Sequence, residues 1–90
     1  MIPISNHAER RMQQRGCKLK FVRQILDNAD SAWSVGAGCC LYRVHRRTAA
    51  SLKDERLGRF GIIVSDITGQ IVTVLPIDRK SRGARYRRAR

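Results

Sequence analysis

Residues 59–77 read RFGIIVSD, ITG, QIVTVLPI: two runs dense in Ile and Val around a short break that ends in glycine. β-Branched side chains are stiff about χ1 and suit a pleated surface better than a helix. The break is three residues long, and its Gly69 accepts left-handed backbone, so the stretch reads as an antiparallel hairpin. This hairpin fixes two neighbouring strands and their relative direction at once, which limits the fold more than any other feature of the chain.

Upstream the texture is helical, then extended. Ser5 precedes a run of good helix formers over residues 8–15, and Gly16 follows it, the pattern of an N-capped helix stopped by a C′ glycine. From Leu19 to about Asn28 the apolar residues Leu19, Phe21, Val22, Ile25, Leu26 and Ala29 recur at helical spacing and predict a second, more strongly amphipathic helix. SAWSV (31–35) and CCLYRVH (39–45) read as strands around a GAG turn. The loop RRTAASLKDERLG (46–58) is charged and aperiodic, so it is expected to be irregular or a single helical turn. The sum is an α+β domain over residues 1–77, with two N-terminal helices on one face of a three- or four-stranded antiparallel sheet. MIPI could add a very short edge strand. Residues 78–90, DRKSRGARYRRAR, hold seven basic residues and almost nothing to bury, and form a basic tail.

Composition narrows the partners. Ninety residues allow one modest core, and a hydrophobic fraction of 42% is enough to fold it. Nineteen Lys and Arg against seven Asp and Glu give a net charge of +12, a field that attracts nucleic acid, anionic lipid or an acidic protein. A chain this basic would bind cellular RNA indiscriminately, so an acidic protein partner that neutralises it is a second expectation. No apolar run reaches the roughly 18 residues that span a bilayer, and the start lacks a signal-peptide apolar stretch, so a cytoplasmic protein without a membrane segment is expected. Cys17, Cys39 and Cys40 are odd in number and irregular in spacing, which suits a reducing compartment. At least two of these thiols are expected to be buried small hydrophobes. Neighbouring strand residues point to opposite faces, so Cys39 and Cys40 do not chelate one ion together; neither a metal nor a cofactor is expected.

The first helix carries the candidate chemistry. His7, Arg11 and Arg15 are spaced by four residues and drift by only about 40° per step at about 100° per residue, so they line one face beside Ala8 and Met12. Arg10 and Gln14 flank the stripe. A guanidinium beside an apolar seam needs an anionic or carbonyl partner. For Arg11 and Arg15 that partner is either internal, with Asp27, Asp66 and the backbone as candidates, or a substrate phosphate. His7 lies in the first helical turn, where free N–H groups favour a bound anion. RNA cleavage needs a base for the 2′-hydroxyl, an acid for the 5′-oxygen and cations for the phosphorane. An imidazole with arginines one and two turns away offers a base and those cations; a capping or packing histidine is the plainer alternative. On the second strand Arg43 and His45 share a face by alternation, making His45 a second acid–base candidate if the sheet brings it near the stripe. In the tail, Arg79, Lys80, Arg82, Arg85, Arg87 and Arg88 can follow phosphates, and Tyr86 can stack on a base.

The stretch HAERRMQQRGC (7–17) resembles the HAxxRMxxRG(I/V) signature that opens a family of small bacterial proteins. That family is similar to RelE/ParE-type and BrnT-type toxins, whose shared fold packs two N-terminal helices on an antiparallel sheet. Many of those are ribonucleases held by an antitoxin. The resemblance covers about residues 5–76; Cys17 departs from it, standing where a branched aliphatic is usual. It places His7, Arg11 and Arg15 at the motif positions and Thr73 at a polar position on the last strand. By alternation Thr73 shares its face with Ile71 and Leu75, so its hydroxyl interrupts an apolar set. What the resemblance implies is a RelE-like toxin of a toxin–antitoxin system: a metal-independent endoribonuclease using His7, Arg11, Thr73 and His45, with Arg10, Arg15, Arg43 and the tail binding RNA. Fold alone does not fix chemistry. The alternatives are a non-catalytic nucleic-acid-binding module and a basic interaction domain matched to an acidic partner.

Overall fold

The Ser5 hydroxyl joins the start of the first helix to the last strand. Its Oγ accepts the Ala8 N–H at 3.0 Å and donates to the Val72 carbonyl at 3.0 Å, which caps α1 (Asn6–Gln14) and pins it to β4 (Ile71–Pro76) in one stroke. On either side, Ser5 N–H donates to Ile71 O and Ile71 N–H donates to Pro3 O, so Ile4 forms a one-residue parallel bridge with Ile71. That bridge is what remains of the expected edge strand. The computed structural model describes residues 3–77; Arg79, Lys80, Arg82, Arg85, Tyr86, Arg87 and Arg88 lie outside the described residues. At its other end α1 closes with Gly16 at φ 67°, while the N–H of Gly16 bonds Gln13 O and that of Cys17 bonds Met12 O. This is a Schellman closure, with Met12 and Cys17 both buried as its apolar contact.

α2 (Leu19–Asn28) buries Phe21, Val22 and Ile25. It lies over β2 (Cys39–Arg43) and β3 (Phe60–Ser65), whereas α1 lies over β4. With β1 (Ser31–Gly36) the strands form an antiparallel meander in the order β1-β2-β3-β4. The architecture is therefore the expected α+β layout, with four strands. Ile62, Ile71, Val74 and the partly buried Val64 meet the helices. The row through Trp33, Leu41, Ile63 and Thr73 lies on the opposite face, because each is a register partner of the next and alternates with the helix-facing residues.

Three local expectations change. The β3–β4 turn is one residue longer than ITG: Ser65 and Gln70 close it, Asp66 joins the loop, and Gly69 is left-handed at φ 72°. A register shift between Ile63 and Val64 inserts a bulge in β4, so Ile71 turns to the helices while Thr73 stays on the far face. Ile71 and Thr73 thus do not share a face. Segment 46–58 is more ordered than its aperiodic sequence implies, forming α3 (Arg46–Ser51) and a 3₁₀ turn over Glu55–Gly58. α3 buries Ala49 and the 3₁₀ turn buries Leu57 and Gly58, too few for a period to show.

No helix among the described residues is long and apolar enough to cross a membrane. Ile25 is fully buried between α2 and the sheet. Ile25→Ala is expected to lower the unfolding free energy by about 2–5 kcal/mol, read from the urea midpoint; a loss below about 1 kcal/mol would mean that α2 is not seated on this core.

Candidate functional site

The helix-one stripe takes the predicted orientation but does not meet the other candidates. Ala8 and Met12 are buried, Arg11 and Arg15 are half-buried, and His7 and Arg10 are exposed. Arg11 Nη1 donates to Gln14 Oε1 at 3.2 Å, and neither Arg11 nor Arg15 pairs with a carboxylate among the described residues. The internal partners Asp27 and Asp66 are therefore not used. Arg15 Nε is buried and makes no hydrogen bond among the described residues.

His7 follows Ser5, which is bonded to the first residues of β4, whereas His45 follows Arg43, in register with Gly61 at the opposite end of β3. Two strand spacings, about 10 Å, and some three residues along the strands, about 10 Å more, separate those anchors. Thr73 is on the sheet face away from the helices altogether. The four candidates His7, Arg11, Thr73 and His45 do not converge, because the meander places α1 at one edge and the end of β2 near the other.

What does converge is a set of arginines around the end of β2. A cavity of about 750 Å³ is lined by Arg43, Arg46, Arg47, Arg59, Glu55 and Ile77. A second of about 560 Å³ shares Arg43, Arg46 and Arg47 and adds Asp30, His45 and Thr48. Arg43 is 8% exposed and is engaged within the protein, so it forms part of the wall. Arg46, Arg47 and Arg59 are exposed, and none is ion-paired among the described residues. Gly61, in register with Arg43, has no side chain; a Cβ there would stand 2.7 Å from Leu41 Cδ1 and 3.1 Å from Ile77 Cδ1, which occupy that space.

At the rim, Asp30 organises the local structure. Its Oδ1 lies 2.9 Å from His45 Nδ1 and accepts the His45 backbone N–H at 2.9 Å, while Oδ2 accepts the Thr48 hydroxyl. The other ring nitrogen, Nε2, is 3.1 Å from Ser31 Oγ. The carboxylate contact assigns a proton to Nδ1 and turns the Nε2 lone pair toward the Ser31 hydroxyl. Burial pulls the Asp30 carboxyl upward, but the bonds from Thr48 and the His45 N–H, with the His45 ring beside it, outweigh that pull. The carboxyl is held below its ordinary value. His45 itself caps α3 rather than extending β2, and its side chain is 58% exposed.

The sequence offered a signal for this cluster, Arg46-Arg47 next to His45, but β-alternation says nothing about residues beyond the strand end. Asp30 and Ser31 reach His45 through the β1–β2 pairing, Arg46 and Arg47 join them through the short α3, and the 3₁₀ turn brings Arg59 to Arg46 and Arg47. Elsewhere, the thiols divide unequally. Only Cys17 is buried, and that burial pushes its thiol up against the opposing Arg56 and Arg15; Arg56 stacks over the Phe21 ring at 4.5 Å. Cys39 and Cys40 are half-buried, so fewer thiols are buried than expected, and the contact of Cys40 with Asp66, at 3.1 Å, raises the Cys40 thiol. No group of three metal-ligating side chains occurs among the described residues. No protein-family model, no curated protein and no solved structure matches this chain.

The Asp30 carboxyl has a lower pKa folded than unfolded, so its contribution is complete above the ordinary value of about 3.9 and is lost as pH falls through the folded value. Asp30→Ala is expected to lower the unfolding free energy by about 1 kcal/mol near neutrality, the worth of its hydrogen bonds reduced by the water that screens a partly exposed carboxylate. The gap to wild type closes in strong acid, which urea melts at a series of pH values would follow; a gap of constant size would rule out the charged carboxylate as its source.

Proposed function

We propose that the protein is a metal-independent, toxin-like ribonuclease that seats an RNA phosphate in the arginine-lined cavity and uses His45 as its proton acceptor. The observation that carries this reading is the placement of an oriented imidazole on the wall of a cavity that also holds the exposed Arg46 and Arg47. In this reading the RNA 2′-hydroxyl takes the position at His45 Nε2 that Ser31 Oγ holds in the free protein, 3.1 Å away. Its proton passes to Nε2 as the 2′-oxygen attacks the adjacent phosphorus, and Arg46 and Arg47, which line the same cavity as His45, balance the charge of the phosphorane. The 5′-oxygen leaves and a cyclic phosphate remains. A net charge of +12 supports both the polyanionic substrate and an acidic protein, antitoxin-like, that would hold the chain inactive. The likeness of its opening helix to the HAxxRMxxRG signature supports the toxin reading, although the chemistry is assigned to the β2 end and not to α1.

Purified protein is expected to convert RNA to fragments ending in 2′,3′-cyclic phosphate without added metal. His45→Ala slows this by about 100-fold or more, measured at a temperature where the variant is fully folded. His7→Ala is the contrasting variant: a larger loss from it than from His45→Ala returns the active centre to α1.

Salt-dependent RNA binding with no cleavage selects the non-catalytic module instead. In that assay Arg46→Ala with Arg47→Ala reduces the slope of log affinity against log salt by roughly 1.4, if each arginine meets one phosphate of a single strand. Removal of residues 78–90, which carry seven basic side chains, lowers the slope further.

A further inference from the structure

Ser31 opens β1, directly after Asp30, and is paired across the sheet with Arg43. Its Oγ stands 3.1 Å from His45 Nε2, and His45 Nδ1 stands 2.9 Å from Asp30 Oδ1. Asp30 is fixed independently by the His45 backbone N–H and by the Thr48 hydroxyl. Hydroxyl, imidazole and carboxylate therefore form a chain in which each group is within hydrogen-bond reach of the next. This is the arrangement by which a base activates a serine while a third group holds the ring in the required tautomer. Fixing the start of α3 accounts for the bonds that Asp30 accepts from His45 N–H and Thr48. It does not account for a serine hydroxyl on the far nitrogen of the ring, which takes no part in those bonds.

We infer that Ser31 is a nucleophile, activated by His45 and with Asp30 as positioning residue, toward phosphodiesters whose charge is met by Arg46 and Arg47. As Ser31 Oγ bonds to phosphorus, its proton passes to His45 Nε2. The P–O bond to the leaving alcohol breaks, and that oxygen takes the proton from Nε2. Water then attacks the phosphoserine diester, giving one proton to Nε2. The Oγ–P bond breaks and Ser31 recovers that proton, leaving a phosphate monoester, an alcohol and free enzyme. The step shares the cavity and His45 with the ribonuclease reading but stands without it. The nucleophile is the protein's own, so a diester lacking a 2′-hydroxyl, such as a DNA strand, is a substrate.

A fluorophosphonate, in which fluoride replaces the leaving alcohol, tests this on the full chain by intact mass and peptide mapping. One adduct is expected, on Ser31, absent in Ser31→Ala and formed about 100-fold more slowly in His45→Ala. Asp30→Asn is expected to slow labelling by about 10-fold and to abolish the downfield His45 Nδ1–H proton resonance, which a purely structural loss of stability in a still-folded variant would leave in place. No adduct, an adduct on another residue, or wild-type labelling in His45→Ala overturns the inference. Cyclic-phosphate release from RNA by a wild type that the probe does not label overturns it while leaving the ribonuclease reading standing. Ser31 labelling by a protein that cuts no RNA does the reverse.

Discussion

One face of the sheet is committed to the helices, and every other feature of the molecule is arranged around that commitment. Val22 and Ile25 of α2 and Ala8 and Met12 of α1 close over Ile62, Ile71 and Val74 in a single apolar layer. A domain of this size holds only one such layer. Charged groups cannot enter it without loss of hydration. The described Lys and Arg are therefore kept out of that layer, and apart from the buried Arg43 and the half-buried Arg11 and Arg15 they are exposed. The end of β2 is where this exclusion concentrates charge most, because α3 turns Arg46 and Arg47 back toward Arg43 and the 3₁₀ turn delivers Arg59 from the other side.

Asp30 matters because it sits among these cations. A carboxylate among guanidinium groups would ordinarily be expected to pair with one of them. Here its oxygens are taken by His45 and Thr48. Three consequences follow from one residue: the start of α3 is held, the imidazole is oriented, and the exposed Arg46 and Arg47 are not ion-paired to it. The same contact connects the β1–β2 pairing to the rim of the cavity, so the chemistry of the rim depends on the sheet register and not on a loop.

Much of the architecture was legible because it rests on local chemistry. The Ser5 cap, the Gly16 stop, the apolar stripe of α2 and the left-handed Gly69 each follow from a residue type and its immediate neighbours. The β4 bulge was not legible: strict alternation puts Ile71 and Thr73 together, and only the competing demand of β3 pairing and of the Pro3–Ser5 bridge rotates Ile71 into the core. α3 was legible only as a possible single helical turn for a related reason, since a six-residue helix with one buried alanine has no period to detect.

The candidate site divides along the same line. That His7, Arg11 and Arg15 would share a face beside a buried seam was decided by helical spacing, and His45 was picked out as a titratable group near a strand end. Which of these groups share a cavity was decided by strand order, because side chains distant in sequence meet only through long-range pairing. The sequence by itself determined the α+β class, the helix limits, the hairpin and the excess of positive charge, all consequences of contacts within a few residues. The tertiary structure alone decided that α1 and His45 lie at opposite ends of the sheet, and that Asp30, Ser31 and His45 stand within hydrogen-bond distance of one another.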